Sequence, residues 1–183
     1  MKATGIVRRI DDLGRVVIPK EIRRTMRIRE GDPLEIYTDR EGEVIFKKYS
    51  PIGELAVFAG EYAETLHKTC ALSVVICDRD AIIATAGVPR KEYADKPLAD
   101  EMEKIIESRT LYVWREGTDP VSVIEGSAHT VRCAMPILSE GDIVGCVVSL
   151  SNGEKEDKKI PSVDVETKLI QTAAGFLGRQ LES

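Results

Sequence analysis

The sequence predicts an α+β protein in two parts: a β-β-α-β-β unit over residues 1–50, then an α/β unit with an antiparallel sheet and flanking helices over residues 51–183. Three observations carry this. Charge changes sign between the parts, since residues 1–50 hold 12 Lys and Arg against 9 Asp and Glu, and residues 51–183 hold 14 against 22. The spacing of apolar residues switches repeatedly between a period of two and one of ~3.6. A Tyr49-Ser50-Pro51 junction separates the last hairpin pattern of the first part from a helical pattern. The length, 183 residues, suits one or two domains at ~100–200 residues each, and the charge break favours two.

Residues 4–10 and 15–18 are dominated by β-branched side chains and read as short strands, with Asp11-Asp12-Leu13-Gly14 supplying the turn. Pro19 suits a first helical position, where its missing N–H is not needed. The helix that follows, residues 20–26, places Ile22 and Met26 on one face and turns Arg23, Arg24 and Arg27 outward. Residues 34–38 and 43–47 alternate polar and apolar around Asp39-Arg40-Glu41-Gly42, a hairpin signature. A unit of about fifty residues buries too little surface to be comfortable alone, so dimerisation is expected.

Beyond Pro51, the residues Ile52, Leu55, Ala56, Ala59, Tyr62, Ala63 and Leu66 recur at helical spacing. Strands are expected at 72–77 and 81–86 around Asp78-Arg79-Asp80, at 111–115, at 121–125, and at 130–138 and 143–151 around Ser139-Glu140-Gly141-Asp142. Leu98, Met102, Ile105, Ile106 and Arg109 share a helical face between them. Residues 152–160 form a polar loop. Ser162 is expected to cap a last helix with Val165, Leu169, Ala173, Phe176 and Gln180 along one stripe, joined by Leu177 and Leu181. That helix and the one after Pro51 either cover the sheet or form an intersubunit bundle. Strands hairpinned at both ends with helices between them suit the GAF and PAS class of sensor folds.

The positive charge is segregated as well as present. Residues 1–29 carry nine Lys and Arg against three Asp and Glu, whereas the whole chain is −5. Arg8 and Arg9 on one strand, Arg15 on the next, and Arg23 and Arg24 on the helix are gathered from three local elements, the footprint of a phosphate-binding surface. An acidic second part would be repelled by nucleic acid, which confines DNA contact to the first. No pattern resembles a helix-turn-helix, and residues 1–50 contain no Asn or Gln to read adenine. Readout of DNA shape, with A/T-rich preference, is therefore expected.

The runs Gly5-Ile6-Val7-Arg8-Arg9-Ile10, Leu13-Gly14-Arg15-Val16-Val17-Ile18-Pro19-Lys20-Glu21-Ile22-Arg23 and Gly31-Asp32-Pro33-Leu34-Glu35-Ile36 resemble, in order, the swapped-hairpin DNA-binding domain of the AbrB-like transition-state regulators of spore-forming bacteria. The second part resembles the GAF-type sensor domain carried by sporulation regulators of that kind. The resemblance implies a homodimer interleaving hairpins from two chains, a homotetramer built on it, and double-stranded DNA as partner. It matches Arg8, Arg15, Arg23 and Arg24 to DNA-contacting arginines, with Arg9 and Lys2 beside them. It further implies regulation of forespore genes, activating some and repressing others, and a small-molecule ligand for the GAF-like domain.

Other classes fit less well. The amino terminus runs into a strand pattern without a secretory h-region, and no apolar run approaches the ~20 residues that span a bilayer, so a cytoplasmic, nucleoid-associated protein without membrane contact is expected. Cys70, Cys77, Cys133 and Cys146 form no C-x-x-C pair and, with only His67 and His129 beside them, point to buried reduced thiols rather than a metal site. No cofactor motif occurs, and no Cys has a basic neighbour that would activate it, so no enzyme is expected. The alternative is an antitoxin, since swapped-hairpin domains also occur there, followed by a tail that is disordered before binding. The periodic apolar content of residues 52–183 favours a folded domain.

Overall fold

The computed structural model describes residues 4–94, 96–151 and 160–182, and the chain divides into two compact units, Met1–Tyr49 and Ser50–Ser183. In the first unit, α1 (Lys20–Thr25) is followed by a hairpin of β1 (Leu34–Thr38) and β2 (Val44–Lys48), paired antiparallel from Leu34↔Lys48 to Thr38↔Val44. The Asp39 carboxylate closes the hairpin loop by accepting the N–H groups of Glu41 and Glu43 at 3.0 and 2.8 Å. Pro19 is the N-cap of α1, one position earlier than expected, and its carbonyl accepts Arg23 N–H at 3.0 Å.

The two strands expected at 4–10 and 15–18 do not form a ladder in the single chain. Their turn does form: Gly14 N–H donates to the Asp11 carbonyl at 3.0 Å and Asp11 N–H to the Arg15 carbonyl at 3.1 Å, with Gly14 at φ 76°, a conformation that suits glycine. The pairing stops there. Val7, Ile10, Leu13 and Val17 lie exposed, and a two-stranded ribbon with no covered face is marginal in water.

The second unit is built on a five-stranded antiparallel sheet in the order β4-β3-β7-β6-β5, where β3 is Ser73–Cys77, β4 Ile82–Ala86, β5 Tyr112–Val113, β6 Thr130–Ser139 and β7 Asp142–Ser151. β3 lies between β4 and β7 and is buried throughout, so its alternate residues feed two cores. Val74 and Ile76 pack with α3 (Ala56–Cys70) and α6 (Val163–Gln180), through Ala59, Ala63, Ile170, Ala173 and Leu177. Val75 and Cys77 pack on the other face with Tyr93 of α4 (Arg90–Tyr93), with Met102, Ile105 and Ile106 of α5 (Asp100–Glu107), and with Val123 and Ile124. This is the period-two alternation of a strand covered on both faces.

Five expectations need correction here. The helix after Pro51 is two, α2 (Pro51–Glu54) and α3, because the chain tightens at Leu55, whose N–H reaches only three residues back to Ile52. Residues 121–125 are a buried loop, not a strand: consecutive Val123 and Ile124 are both buried, where a strand would alternate. The loop's carbonyls still bond neighbours, Val123 accepting Ala99 N–H and Val121 accepting Val131 N–H. In α6 the buried stripe is Glu166, Ile170, Ala173, Ala174, Leu177 and Gly178, which leaves Val165 and Phe176 exposed. Gly178 allows α6 to lie directly on β6, since a Cβ there would strike the Leu138 carbonyl. Ser162 is the N-cap but makes no side-chain bond; its carbonyl accepts Glu166 N–H at 2.9 Å. Arg109 lies past the end of α5, at φ 59°. Of the polar loop expected at 152–160, residues 152–159 lie outside the described residues, as does Lys2.

Candidate nucleic-acid interface

All five arginines singled out in the sequence are exposed. Arg8 and Arg9 lie on the extended arm before the Asp11–Gly14 turn, Arg15 follows that turn, and Arg23 and Arg24 belong to α1. Arg23 and Arg24 fall in the last turn of α1, where cations complement the helix dipole.

The turn that presents Arg15 is organised by Asp11. One carboxylate oxygen, Oδ1, accepts Leu13 N–H at 3.0 Å and Arg15 N–H at 2.8 Å; the other, Oδ2, accepts Arg15 Nε–H at 2.7 Å. The Arg15 side chain nevertheless remains 69% exposed. These bonds, first the Arg15 amide and then its guanidinium, hold the Asp11 carboxyl below its ordinary pKa. Sequence reasoning reads Asp11 as turn chemistry and misses its contact with Arg15, for which the Asp-x-x-x-Arg spacing across the turn is the available signal.

Lys48 and Lys47 make contacts within the fold. Lys48 Nζ donates to the Arg27 carbonyl at 2.7 Å and lies 3.5 Å from Asp32, whose carboxylate also accepts Arg29 N–H at 2.8 Å. Arg27 itself has a left-handed backbone at φ 51°. Lys47 Nζ sits 4.4 Å from the centre of the Tyr37 ring. The hairpin is thereby tied to the segment after α1, and a flexible lysine is turned into a strut.

The second unit holds two polar clusters. Glu166 of α6, 1% exposed, accepts Ser149 Oγ–H at 2.6 Å on Oε1 and Arg132 Nε–H at 3.1 Å on Oε2. Tyr93 Oη lies 3.1 Å from Ser127 Oγ and 3.0 Å from His129 Nδ1, with Glu92 3.6 Å from the same nitrogen. The thiols of Cys77, Cys133 and Cys146 are buried. Burial pushes Cys133 up to about 11 and raises the other two as well, away from a reactive thiolate. Among the described residues no three His, Cys, Asp or Glu side chains are grouped as a metal site, and no helix is long and apolar enough to cross a membrane.

Residues 54–182 match the family described as stage V sporulation protein T C-terminal, transcription factor, and residues 7–53 match the MazE antidote-toxin recognition family of bacterial antitoxins. Stage V sporulation protein T of Bacillus subtilis (strain 168) is 51% identical over 187 residues, spanning 100% of this chain and 99% of that protein. The transition state regulatory protein AbrB of the same organism is 65% identical over 51 residues, 28% of this chain and 52% of AbrB. The solution structure of the N-terminal DNA recognition domain of AbrB shares 65% identity over 27% of this chain and 91% of its own, with a TM-score of 0.23. Over 71% of this chain, a GAF domain/HD domain protein from Geobacter sulfurreducens is 17% identical with a TM-score of 0.51, covering 92% of that chain. That likeness gives the second unit a GAF fold.

Proposed function

The chain belongs to the stage V sporulation protein T family, and from that premise we infer that it is a DNA-binding regulator of transcription during sporulation. The observation that carries the reading is the exposed set Arg8, Arg9, Arg15, Arg23 and Arg24, in a chain of which 51 residues are 65% identical to AbrB. These arginines neutralise backbone phosphates of double-stranded DNA, and the surface reads A/T-rich DNA by its shape. Two chains dimerise through the first unit by interleaving the arms before α1, which covers Val7, Ile10, Leu13 and Val17. Two such dimers form a homotetramer through the second unit. The protein acts in the forespore on nucleoid DNA, as activator at some promoters and repressor at others, with a small molecule bound by the GAF-like unit as input. No catalytic step belongs to this reading.

The match of residues 7–53 to an antitoxin family keeps the antitoxin reading in view. Its toxin-wrapping tail would have to be the second unit. That unit instead has a five-stranded sheet with a core on each face, which argues against a tail that orders on binding. Footprinting of the intact protein on sporulation promoters, repeated with the Arg15→Ala/Arg23→Ala variant, tests the reading. Protection by the native chain and its loss in the variant is the expected result.

A further inference from the structure

The short helix that carries Arg23 and Arg24 ends on a residue that does not favour the shape it takes. Arg27 stands at φ 51°, a left-handed conformation that crowds a Cβ and is usually given to glycine. The turn is otherwise a complete helix stop. Ile28 N–H reaches back five residues to the Arg23 carbonyl at 2.7 Å, and Arg27 N–H meets the Arg24 carbonyl at 3.3 Å. Both acceptors belong to the two arginines themselves, so the stop and their placement are one structure.

What holds Arg27 in this shape comes from the hairpin. Lys48, the last residue of β2, donates through Nζ to the Arg27 carbonyl at 2.7 Å. Its charge is met at 3.5 Å by Asp32, whose side chain is only 4% exposed. The same oxygen, Oδ2, accepts Arg29 N–H at 2.8 Å, and Asp32 N–H returns to the Arg29 carbonyl at 3.3 Å. Asp32 stands two residues before Leu34, the cross-strand partner of Lys48, so the register of the hairpin brings the ammonium and the carboxylate together. By charge alone Lys48 would be counted among the phosphate ligands; its carbonyl bond and its buried counter-ion fit it for a different task.

We propose that Lys48 is a positioning residue for DNA binding: paired with Asp32, it holds Arg27 at the helix stop and so aims Arg23 and Arg24, without meeting a phosphate itself. The proposal rests on the reading of those arginines as phosphate ligands. A strained backbone persists only where surrounding bonds over-determine it, and such strain gathers where function needs a fixed geometry. Arginine side chains are long and rotatable, so a rotation of the last helical turn is magnified at their guanidinium heads. A second, lysine-held anchor outside the helix removes that freedom before DNA arrives, which lowers the ordering cost of binding.

Lys48→Met alone would leave Asp32 buried without a counter-ion. The decisive protein is therefore Lys48→Met/Asp32→Asn, which keeps an acceptor for Arg29 N–H and leaves the net charge as it was. Full-length proteins, shown folded by thermal melting, are compared by fluorescence anisotropy on one labelled duplex at low salt, where weakened proteins still bind measurably. The double variant should bind DNA ~5-fold or more weakly, a fraction of what one hydrogen bond to a charged group can carry. That loss should vanish in an Arg23→Ala/Arg24→Ala background, where nothing is left to aim, and persist in an Arg8→Ala background. It should also vanish once Arg27→Gly removes the crowding at the helix stop. An equal loss in the Arg23→Ala/Arg24→Ala background would make Lys48 a phosphate contact and overturn the proposal, as would an equal loss with Arg27→Gly. If Arg23→Ala/Arg24→Ala itself leaves DNA affinity unchanged, the reading of those arginines falls and the proposal with it. If that protein loses affinity while the folded Lys48→Met/Asp32→Asn protein keeps it, the proposal alone falls.

Discussion

Asp11 holds Arg15 across a four-residue turn: the carboxylate takes the Arg15 amide at 2.8 Å and its guanidinium at 2.7 Å. A candidate phosphate ligand is thus presented already paired with an anion. Phosphate must compete for that guanidinium, while the amide bonds to Oδ1 keep the turn that aims it. Asp11→Asn retains an acceptor for the amides and removes the charge, so it should tighten DNA binding by ~2–5-fold, the effect of one exposed charge. Asp11→Ala loses the turn as well and should weaken binding. Fluorescence anisotropy on one labelled duplex measures both, and equal affinity in the two variants would mean that Asp11 does not organise the site.

The same pair fixes a pH response. Hydrogen bonds from the Arg15 amide and guanidinium lower the Asp11 carboxyl below its ordinary 3.8. A folded-state pKa below the unfolded one contributes stability that is complete above the unfolded value and is lost as pH falls through the folded value. The turn should therefore be constant from neutral pH down to about 4 and open only in stronger acid. Carboxyl NMR of Asp11, with the Arg15 Nε–H followed alongside, checks the direction.

If the five arginines neutralise phosphates, log K falls linearly with log salt by ~0.9 per phosphate contacted. Alanine at Arg8, Arg15, Arg23 or Arg24 should flatten that slope by ~1.8 in a dimer, since each substitution removes two contacts. Arg9→Ala should do the same if both arginines of the arm face DNA. An unchanged slope in the Arg15→Ala/Arg23→Ala protein, with its circular dichroism intact, would falsify the surface.

What the sequence disclosed, and what it hid, follows from how local each determinant is. The β1–β2, β3–β4 and β6–β7 hairpins were legible because their turns carry Asp or Gly between period-two runs, a signal complete within a dozen residues. The arms at 4–10 and 15–18 have the same β-branched chemistry, yet pairing needs a covered face that those residues do not supply. Val123 and Ile124 read as strand by composition and are buried by contacts with α5 and β7 that no window contains. Glu166 was invisible because a stripe is sought among apolar residues, and its burial depends on Arg132, 34 residues away. The five arginines stand out by their clustering and by a resemblance, whereas the Asp11 carboxylate that holds one of them is local geometry that neither signal contains.

The thiols give a separate test of the non-enzymatic reading. Cys77, Cys133 and Cys146 are buried and shifted upward, whereas Cys70 is half-buried at the end of α3. In the native protein at pH 8 an aromatic disulfide reagent should titrate Cys70 first, with the other three appearing only on unfolding. Rapid reaction of Cys133 or Cys146, or turnover of methionine sulfoxide, would reopen thiol catalysis.

Assembly should have two independent seats. In the first unit, Val7 is 87% and Val17 71% exposed, apolar area that interleaved arms would cover. In the second, the rings of Phe58, Tyr62 and Phe176 cluster with centroids 5.7–6.4 Å apart, and Val57 and Val165 of the same two helices are exposed, the kind of apolar surface that marks an interface. Sedimentation should show a tetramer for the full chain and a dimer for residues 51–183. Phe176→Asp should reduce the full chain to a dimer and leave the DNA footprint of each dimer intact. A monomeric full chain would remove the assembly altogether.

The junction decides whether a ligand can speak to DNA. β2 ends at Lys48 and α2 begins at Pro51, with Ser50 Oγ capping α2 by accepting Gly53 N–H at 3.1 Å, and Tyr49 N–H tied to the Pro33 carbonyl at 3.1 Å. Each of these bonds lies within one unit, the first in the second unit and the other in the first. A ligand biases DNA affinity only through a difference in its own affinity for two arrangements, and tenfold requires ~1.4 kcal/mol of such difference. A spacer of about eight Gly and Ser residues placed between Tyr49 and Ser50 preserves the cap and gives random-coil reach. If the junction transmits, the spacer should abolish any ligand effect on DNA binding while leaving ligand binding by the second unit unchanged. An equal ligand effect in the spacer protein would mean that the second unit acts by assembly alone, raising avidity without reorienting the arginines.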